Sequence, residues 1–461
     1  MTLFDYIEQY RGENPDATAI TASDIKLTYD ELYHLLLENH LDLSHKYKSG
    51  DKVLLIFESQ FAFVISLLSL LSIGCWVIPI YPDMKEDEIQ GIADHTQGHI
   101  YQGKSIWTPN HKIQSINTVT CIDPNACGIY HLTSGSTGEP KLCIRTLDSM
   151  LHEGISYVKT FTLTNSDKIL SPPPVYHSYA LGAACIAALV AGASLHLVEK
   201  FIPRSVLRRI EEERITMILL VPVMVRALIN TYSSIRYSLK SIRIALVGAG
   251  AIDEKEYNQF YEKYGVFLLS NYGSTETGGL ISRIEPKPYN SIGKPMEGIA
   301  IRVVDELNKE VLPVHEGTLL VKWKGIMQGY FEADDRITDL EGYYNTGDIV
   351  VQDTQGNLYI RGRMKRYLKI GGNKVNLYEV EKVIMQMEKV KECVALGGKK
   401  SNGEEIIKTI IVGSDISEYE IRKFCRMHMS EYKIPAVIEF RKSIPRNELG
   451  KIKYSEISSS I

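Results

Sequence analysis

No two of the seven cysteines in this 461-residue chain form a C-x-x-C pair. Cys75, Cys121, Cys127, Cys143, Cys185, Cys393 and Cys425 are scattered. Neither zinc-ligand spacing nor a disulfide framework is visible, and reduced thiols in the cytoplasm are the expectation. An excess of one charge is missing too. The 52 Lys and Arg against 56 Asp and Glu leave a formal net charge of −4, without the basic field of a nucleic-acid binder. The opening stretch "MTLFDYIEQYRGENPD" lacks a basic region followed by an apolar run, so it does not read as a secretion signal. There is no internal repeat and no low-complexity segment. One apolar run has membrane length, "FAFVISLLSLLSIGCWVIPI" (Phe61–Ile80), but Gly74 and Pro79 interrupt it. It reads as a buried helix, a tight turn and a strand, with no membrane span expected.

What remains is an ordinary soluble composition, 44% hydrophobic and 23% charged. Strand-like apolar runs alternate with helical stretches over the first two-thirds. "KVLLIF" precedes the helical run from Phe61, "ITMILLVP" precedes "VMVRALIN", and "RIALVGAG" precedes "EKEYNQFYEKYG", which precedes "VFLLSNYG". Continuous apolar strands separated by helices indicate α/β layers with mainly parallel sheets. Beyond residue 300 the pattern turns strand-rich, and the last ~95 residues read as a small α+β unit, judged from element spacing. The expected boundary lies near Arg361–Lys365, dividing the chain into a large domain, 1–362, and a small one, 363–461.

Against that background one segment stands out, "HLTSGSTGEPK" (His131–Lys141). Gly135 and Gly138 let the backbone turn freely. Thr133, Ser134, Ser136 and Thr137 offer hydroxyls, and Lys141 offers a cation. Such a set suits phosphate oxygens, although the spacing is not that of G-x-x-x-x-G-K-[ST]. Pro140 biases Glu139 away from helix, so the segment is not expected to enter a helix N-terminus. Taken alone it is equally an ordinary Ser/Thr/Gly turn. "LLSNYGSTETGG" (Leu268–Gly279) follows a strand into a glycine-rich turn, where open α/β sheets place ligands. There Tyr272 suits a base, Thr275 a phosphate, and Glu276 a hard cation such as Mg²⁺. "YYNTGD" ends in Asp348, whose carboxylate suits the two hydroxyls of a ribose. "IRGRMKRYLKIGG" carries cations and paired glycines, and "IPRNELGKIKY" places Lys451 after a glycine. Each of these is, alone, also a common surface turn.

Their order is specific. The chain resembles the adenylate-forming superfamily of acyl- and aryl-CoA synthetases, luciferases and peptide-synthetase adenylation domains. The resemblance is carried by Thr133-Ser134-Gly135-Ser136-Thr137-Gly138-Glu139-Pro140-Lys141, by Tyr272-Gly273-Ser274-Thr275-Glu276, and by Thr346-Gly347-Asp348. It continues in Gly362-Arg363-Met364-Lys365 with Gly371-Gly372 and Glu379-Val380-Glu381, and closes with Pro445-Arg446-Asn447-Glu448-Leu449-Gly450-Lys451. It covers essentially the whole chain. Leu142-Cys143 stand where the family usually has Gly-Val, Asn447 stands for its threonine, and the chain is short for the family.

The resemblance implies a two-step reaction. A carboxylic acid attacks the α-phosphorus of ATP, giving an acyl-adenylate and pyrophosphate, and a thiol then displaces AMP. The thiol belongs to CoA or to a carrier-protein phosphopantetheine, the carrier acting in trans. The 133–141 segment would hold the β- and γ-phosphates. Lys451 would be the catalytic lysine of the first step, Glu276 the Mg²⁺ ligand, and His177 a group beside the acyl carbonyl. Gly248, Ala249, Gly250, Asn271, Tyr272, Gly273, Ser274 and Thr275 would bind the nucleotide, with Asp348, Ile360 and Arg363 on its ribose side. Lys365 would be the hinge about which the small domain swings to bring Gly371-Gly372 to the thiol side. Alternatives are an enzyme loading an amino acid onto a carrier protein, a luciferase-like oxidation, and a non-catalytic nucleotide-binding relative. No carboxylate occurs between Asp167 and Glu199, so the expected acid has no α-amino group and is an aryl or fatty acid, a ring being slightly favoured.

Overall fold

The computed structural model describes all residues except 24, 82–83, 104–121, 135–139, 233–236, 334–335, 371–372, 400–404, 447–451, 454–455 and 458–461. Contacts divide the chain into two compact units. One holds most of residues 1–300 and returns with Lys322–Gly342; the other holds Ile301–Val321 and Tyr343 onward.

The first unit contains two sheets. Its buried apolar helix α1 (Gln60–Ile73) arises where the sequence predicts one. Ser59 caps it by accepting from the Ala62 N–H at 3.0 Å, and Gly74 ends it at φ +91°, a conformation open to glycine. All fourteen residues are buried, so α1 is apolar on every side because it has no solvent face. Glu199 accepts from the backbone N–H of Gln60 at 2.8 Å, placing a carboxylate at the positive end of α1. After Gly74 the chain continues as the strand Trp76–Pro79. Among the described residues no helix is long and apolar enough to cross a membrane.

That strand belongs to a six-stranded sheet. Lys52–Phe57, His99–Gly103, Trp76–Pro79 and β1 (Gly128–Ser134) run parallel. β2 (Pro140–Thr146) then pairs antiparallel with β1, and Gly329–Tyr330 closes the edge antiparallel to β2. Helix α2 (Leu147–Phe161) starts at once after β2, with Thr146 as its cap. A nine-stranded sheet follows. Its strands β3 (Lys168–Ser171), β4 (Met217–Leu220), β5 (Ile244–Val247) and β6 (Leu269–Ser274) lie in the order 3-4-5-6, all parallel. β7 (Gly278–Ser282) turns back antiparallel to β6. The four parallel strands therefore present their carboxyl ends along one edge, the usual place for a ligand in an open α/β sheet.

The second unit contains a four-stranded sheet in which β8 (Tyr344–Gln352) pairs antiparallel with β9 (Leu358–Arg363). Residue 363, the expected domain boundary, is the last of that sheet. Beyond it, helices Leu377–Ile384 and Glu418–His428 pack on the sheet formed by Val390–Lys399, Glu405–Gly413 and Val437–Phe440. Val380, Ile384, Ile407, Ile411, Ile421 and Cys425 form their shared core.

Candidate active site

The hairpin β1–β2 supplies the first part of the site. Thr133 lies opposite Lys141 and Ser134 opposite Pro140, so the chain from Pro140 onward is a strand antiparallel to β1 and not a helix. The Thr133 hydroxyl donates to the Lys141 carbonyl at 3.1 Å. Gly135, Ser136, Thr137 and Gly138 lie outside the described residues, as does the side chain of Ser134. Lys141 is exposed at the start of β2, its ammonium 5.2 Å from the centroid of the Tyr330 ring. The Tyr330 hydroxyl in turn donates to Glu276 Oε1 at 3.0 Å. A cation from the hairpin, a phenol from the sheet edge and the carboxylate of the Tyr272–Glu276 segment thus form one chain of contacts.

The carboxyl ends of β3, β5 and β6 supply the second part. Gly248 follows β5 directly, and its N–H donates to the Leu220 carbonyl at 3.1 Å. A Cβ at Gly248 would lie 2.6 Å from the ring of Tyr179, so only glycine fits. Ala249 adopts φ +61°, turning the chain outward before Gly250. On the adjacent β6, Asn271 is buried and accepts from the Tyr157 hydroxyl at 2.8 Å, while Tyr272 is half-buried opposite Ile281. The turn after Tyr272 is closed by Thr277, whose hydroxyl accepts from the Ser274 N–H at 3.1 Å. Gly273 leaves room for the Gly278 carbonyl, and Gly278 itself sits at φ +64°. The result is a tight β6–β7 turn that presents Thr275 and Glu276.

His177 stands on the carboxyl side of β3, just before a short helix at Ser178–Ala180. Its ring lies 5.1 Å from that of Tyr81 and 4.7 Å from that of Tyr176. Ser178 Oγ is 3.3 Å from Thr275 Oγ1, so the His177 segment meets the Glu276 turn. The following residues, Leu181–Ile186, form a buried π-helical turn, a feature frequent at functional sites. In the second unit, Asp348 on β8 lies opposite Arg363 on β9, and Arg363 Nε donates to Asp348 Oδ1 at 2.6 Å. The two residues expected at a ribose are therefore joined to each other, and Ile360 pairs with Val350 beside them. Lys451, Gly371 and Gly372, and the side chain of Lys365, lie outside the described residues.

Among the described residues no three His, Cys, Asp or Glu side chains cluster as a metal cage. Mg²⁺ is commonly held by one or two carboxylates together with phosphate oxygens and water, so a single carboxylate such as that of Glu276 fits its chemistry. Beneath the site the environment is dry. Burial, with the Arg145 charge and His177 adding to it, pushes the His131 imidazole down to about 3. Burial pushes the Cys143 thiol up.

Several participants escaped the sequence reading. Tyr330 arrives from an edge strand far along the chain. Thr277 looked like one more turn hydroxyl. Arg145 and Glu153, each 1% exposed, pair at 3.0 Å under the Glu276 turn. Nothing in their spacing sets them apart from an ordinary surface pair on a strand and a helix.

Comparison with known proteins identifies the family. The AMP-binding enzyme model matches residues 7–101 and 101–331, and the AMP-binding enzyme C-terminal domain model matches residues 379–451. The chain belongs to the AMP-binding enzyme family, which places it in the adenylate-forming superfamily. Crotonobetaine/carnitine–CoA ligase of Escherichia fergusonii is 27% identical over 455 residues, spanning 88% of this chain and 87% of that one. The Escherichia coli protein of the same name is 30% identical over 334 residues, 69% of this chain and 64% of that one. Among solved structures, ATP-bound MatB from Rhodopseudomonas palustris superposes with a TM-score of 0.86 at 21% identity, covering 100% of this chain and 99% of that one. The anthranilate CoA ligase AuaEII in complex with anthranoyl-AMP superposes with a TM-score of 0.85 at 21% identity, covering 100% and 97%. These structures share the fold.

Proposed function

We propose that the chain is an AMP-forming acid–CoA ligase that activates a carboxylic acid as its acyl-adenylate with ATP and Mg²⁺. The observation that carries this reading is the Lys141–Tyr330–Glu276 chain of contacts beside the phosphate hairpin. In this reading the hairpin from Thr133 to Lys141 orients the β- and γ-phosphates, and Glu276 holds the cation. Bound Mg²⁺ would neutralise phosphate oxygens as pyrophosphate leaves. Tyr272 stacks on adenine, with Gly248–Gly250 and Asn271 around it. Asp348 keeps acceptor capacity for ribose hydroxyls after pairing with Arg363, because a carboxylate offers about four lone-pair sites. Lys451 stabilises the charge that builds on the α-phosphate, an interaction stronger in the transition state than in the ground state. Residues 363–461 work as a mobile small domain hinged at Lys365, bringing Gly371-Gly372 to the thiol side for the second step.

The acid is an aryl or fatty acid without an α-amino group. The carboxylates nearest in sequence to the His177 segment are all occupied. Asp167 accepts from Arg243 Nη2 at 2.7 Å and from the Thr216 hydroxyl at 2.8 Å. Glu199 serves the N-terminus of α1, and Glu153 pairs with Arg145. None stands unengaged as the dedicated partner that a buried ammonium needs, and without one its burial would cost several kcal/mol or more. The rings of Tyr81, Tyr176 and His177 favour an aromatic acid. CoA is preferred over a carrier protein because the curated relatives are named as CoA ligases. The six described cysteines are free, which supports a reducing compartment, the cytoplasm.

The test is ATP–pyrophosphate exchange over benzoates, medium and long fatty acids and the proteinogenic amino acids, followed by thioester formation with CoA. A simple acid is expected to lead the panel and to yield an acyl-CoA. An amino acid ahead of every simple acid by more than tenfold, or transfer to phosphopantetheine on a carrier but not to CoA, would overturn the reading.

A further inference from the structure

The Arg145–Glu153 pair has no role in the function proposed above, yet it is the most completely buried charged group among the described residues of the first unit. Arg145 leaves β2 four residues after Lys141, and Glu153 projects from α2; each is 1% exposed. Arg145 Nη2 lies 3.0 Å from Glu153 Oε2. Its Nε donates to the Ser149 hydroxyl at 3.2 Å, and its Nη1 reaches the Thr275 carbonyl at 3.5 Å. Glu153 Oε1 accepts from the Gly279 N–H at 2.8 Å. The space for this carboxylate is shaped by glycine: a Cβ at Gly182 would collide with it, and one at Gly278 would lie 2.6 Å away.

These contacts bracket the segment that carries Glu276. Thr275, one residue before it, is met by Arg145 and by the Cys143 thiol at 3.6 Å; Gly279, three residues after it, is held by Glu153. A buried ion pair of this kind adds little net stability, since desolvation offsets the attraction and apolar replacements of similar volume are often neutral. Stability therefore does not account for it. Geometry does: the pair fixes the β6–β7 turn to the same strand that carries Lys141. We infer that Arg145 and Glu153 are positioning residues that hold the Glu276 carboxylate where it can ligate the cation of Mg²⁺·ATP. This rests on the assignment of Glu276 as the Mg²⁺ ligand.

The test measures ATP binding by titration calorimetry, with Mg²⁺ and with EDTA, for the wild type and for Arg145→Met/Glu153→Gln. The side-chain amide introduced by Glu153→Gln keeps an acceptor for the Gly279 N–H, and no charge is left unpaired. The double variant is expected to fold, to bind Mg²⁺·ATP about 10- to 100-fold more weakly, as losses of groups that orient metal ligands do, and to bind metal-free ATP as the wild type does. In a Glu276→Gln background the same two substitutions should change nothing further. Equal losses with and without Mg²⁺, or no loss at all, would overturn the inference. Should the double variant fail to fold, Arg145→Lys decides the matter. It keeps the charge but not the forked reach to Ser149 and Thr275, and it should weaken Mg²⁺·ATP alone; wild-type Mg²⁺·ATP affinity there would overturn the inference. A wild type whose ATP affinity ignores Mg²⁺ would instead sink the assignment of Glu276 itself.

Discussion

His131 should make the protein acid-sensitive, and removing it should remove part of that sensitivity. Its side chain lies on β1 opposite Cys143, is 2% exposed, and its Nδ1 has no hydrogen-bond partner among the described residues. Burial, aided by the Arg145 charge and by His177, lowers the imidazole to about 3, against about 6.5 for a free histidine. A histidine lowered in this way stays neutral in the folded chain while the unfolded chain takes up a proton. Its contribution is therefore fully present above pH 6.5 and is lost as the pH falls from there towards 3. At pH 5 the loss is about 1.5 pH units, or about 2 kcal/mol, rising to about 4 kcal/mol at pH 3. His131→Leu keeps an apolar side chain of similar size and removes the titration. Urea unfolding at pH 7.5 and 5.0 measures the difference. The variant should lose about 2 kcal/mol less than the wild type between the two values. Equal losses in both proteins would refute the reasoning.

Three further outcomes follow from the proposed roles. Lys451→Ala should lower pyrophosphate exchange on the order of 10²–10³-fold, the usual cost of one preorganised contact to developing charge, while transfer from a supplied acyl-adenylate to CoA persists. Lys365→Pro should do the reverse, with exchange near normal and thioester formation blocked, because proline fixes φ near −65° at the proposed hinge. Gly248→Ala should weaken ATP binding, since its methyl group would meet the Tyr179 ring at 2.6 Å and displace the end of β5; unchanged ATP affinity in calorimetry would remove Gly248 from the adenine site.

What the sequence revealed and what it hid follow from the range of the interactions. Helix α1 was legible because its signals are local: Ser59 caps it, its residues are apolar all round, and Gly74 ends it. The Thr133–Lys141 segment stood out for the same reason, since hydroxyls, glycines and a cation crowd into nine residues. The hairpin it connects was foreshadowed only by Pro140. Contacts made by chain return were not readable. Tyr330 reaches Glu276 from 54 residues away. The Arg145–Glu153 pair acquires its meaning only from Gly279, 126 residues beyond Glu153. Glu199 read only as the first carboxylate after an apolar stretch, but in the fold it accepts from the Gln60 N–H at the start of α1. Asp348 and Arg363 were both singled out, yet as separate ribose contacts; strand register makes them partners. The π-helical turn at Leu181–Ile186 had no signal in an alanine-rich run that suits an ordinary helix equally well.

This chain is expected to join a carboxylate oxygen to the α-phosphorus of ATP. The most direct test supplies the best acid of the panel with both carboxylate oxygens replaced by the heavy isotope, together with Mg²⁺, ATP and CoA. The products are then weighed by mass spectrometry. The expected products are AMP carrying one heavy oxygen, unlabelled pyrophosphate, and an acyl-CoA that retains the other heavy oxygen. ADP with labelled phosphate, or AMP formed without label, would contradict it.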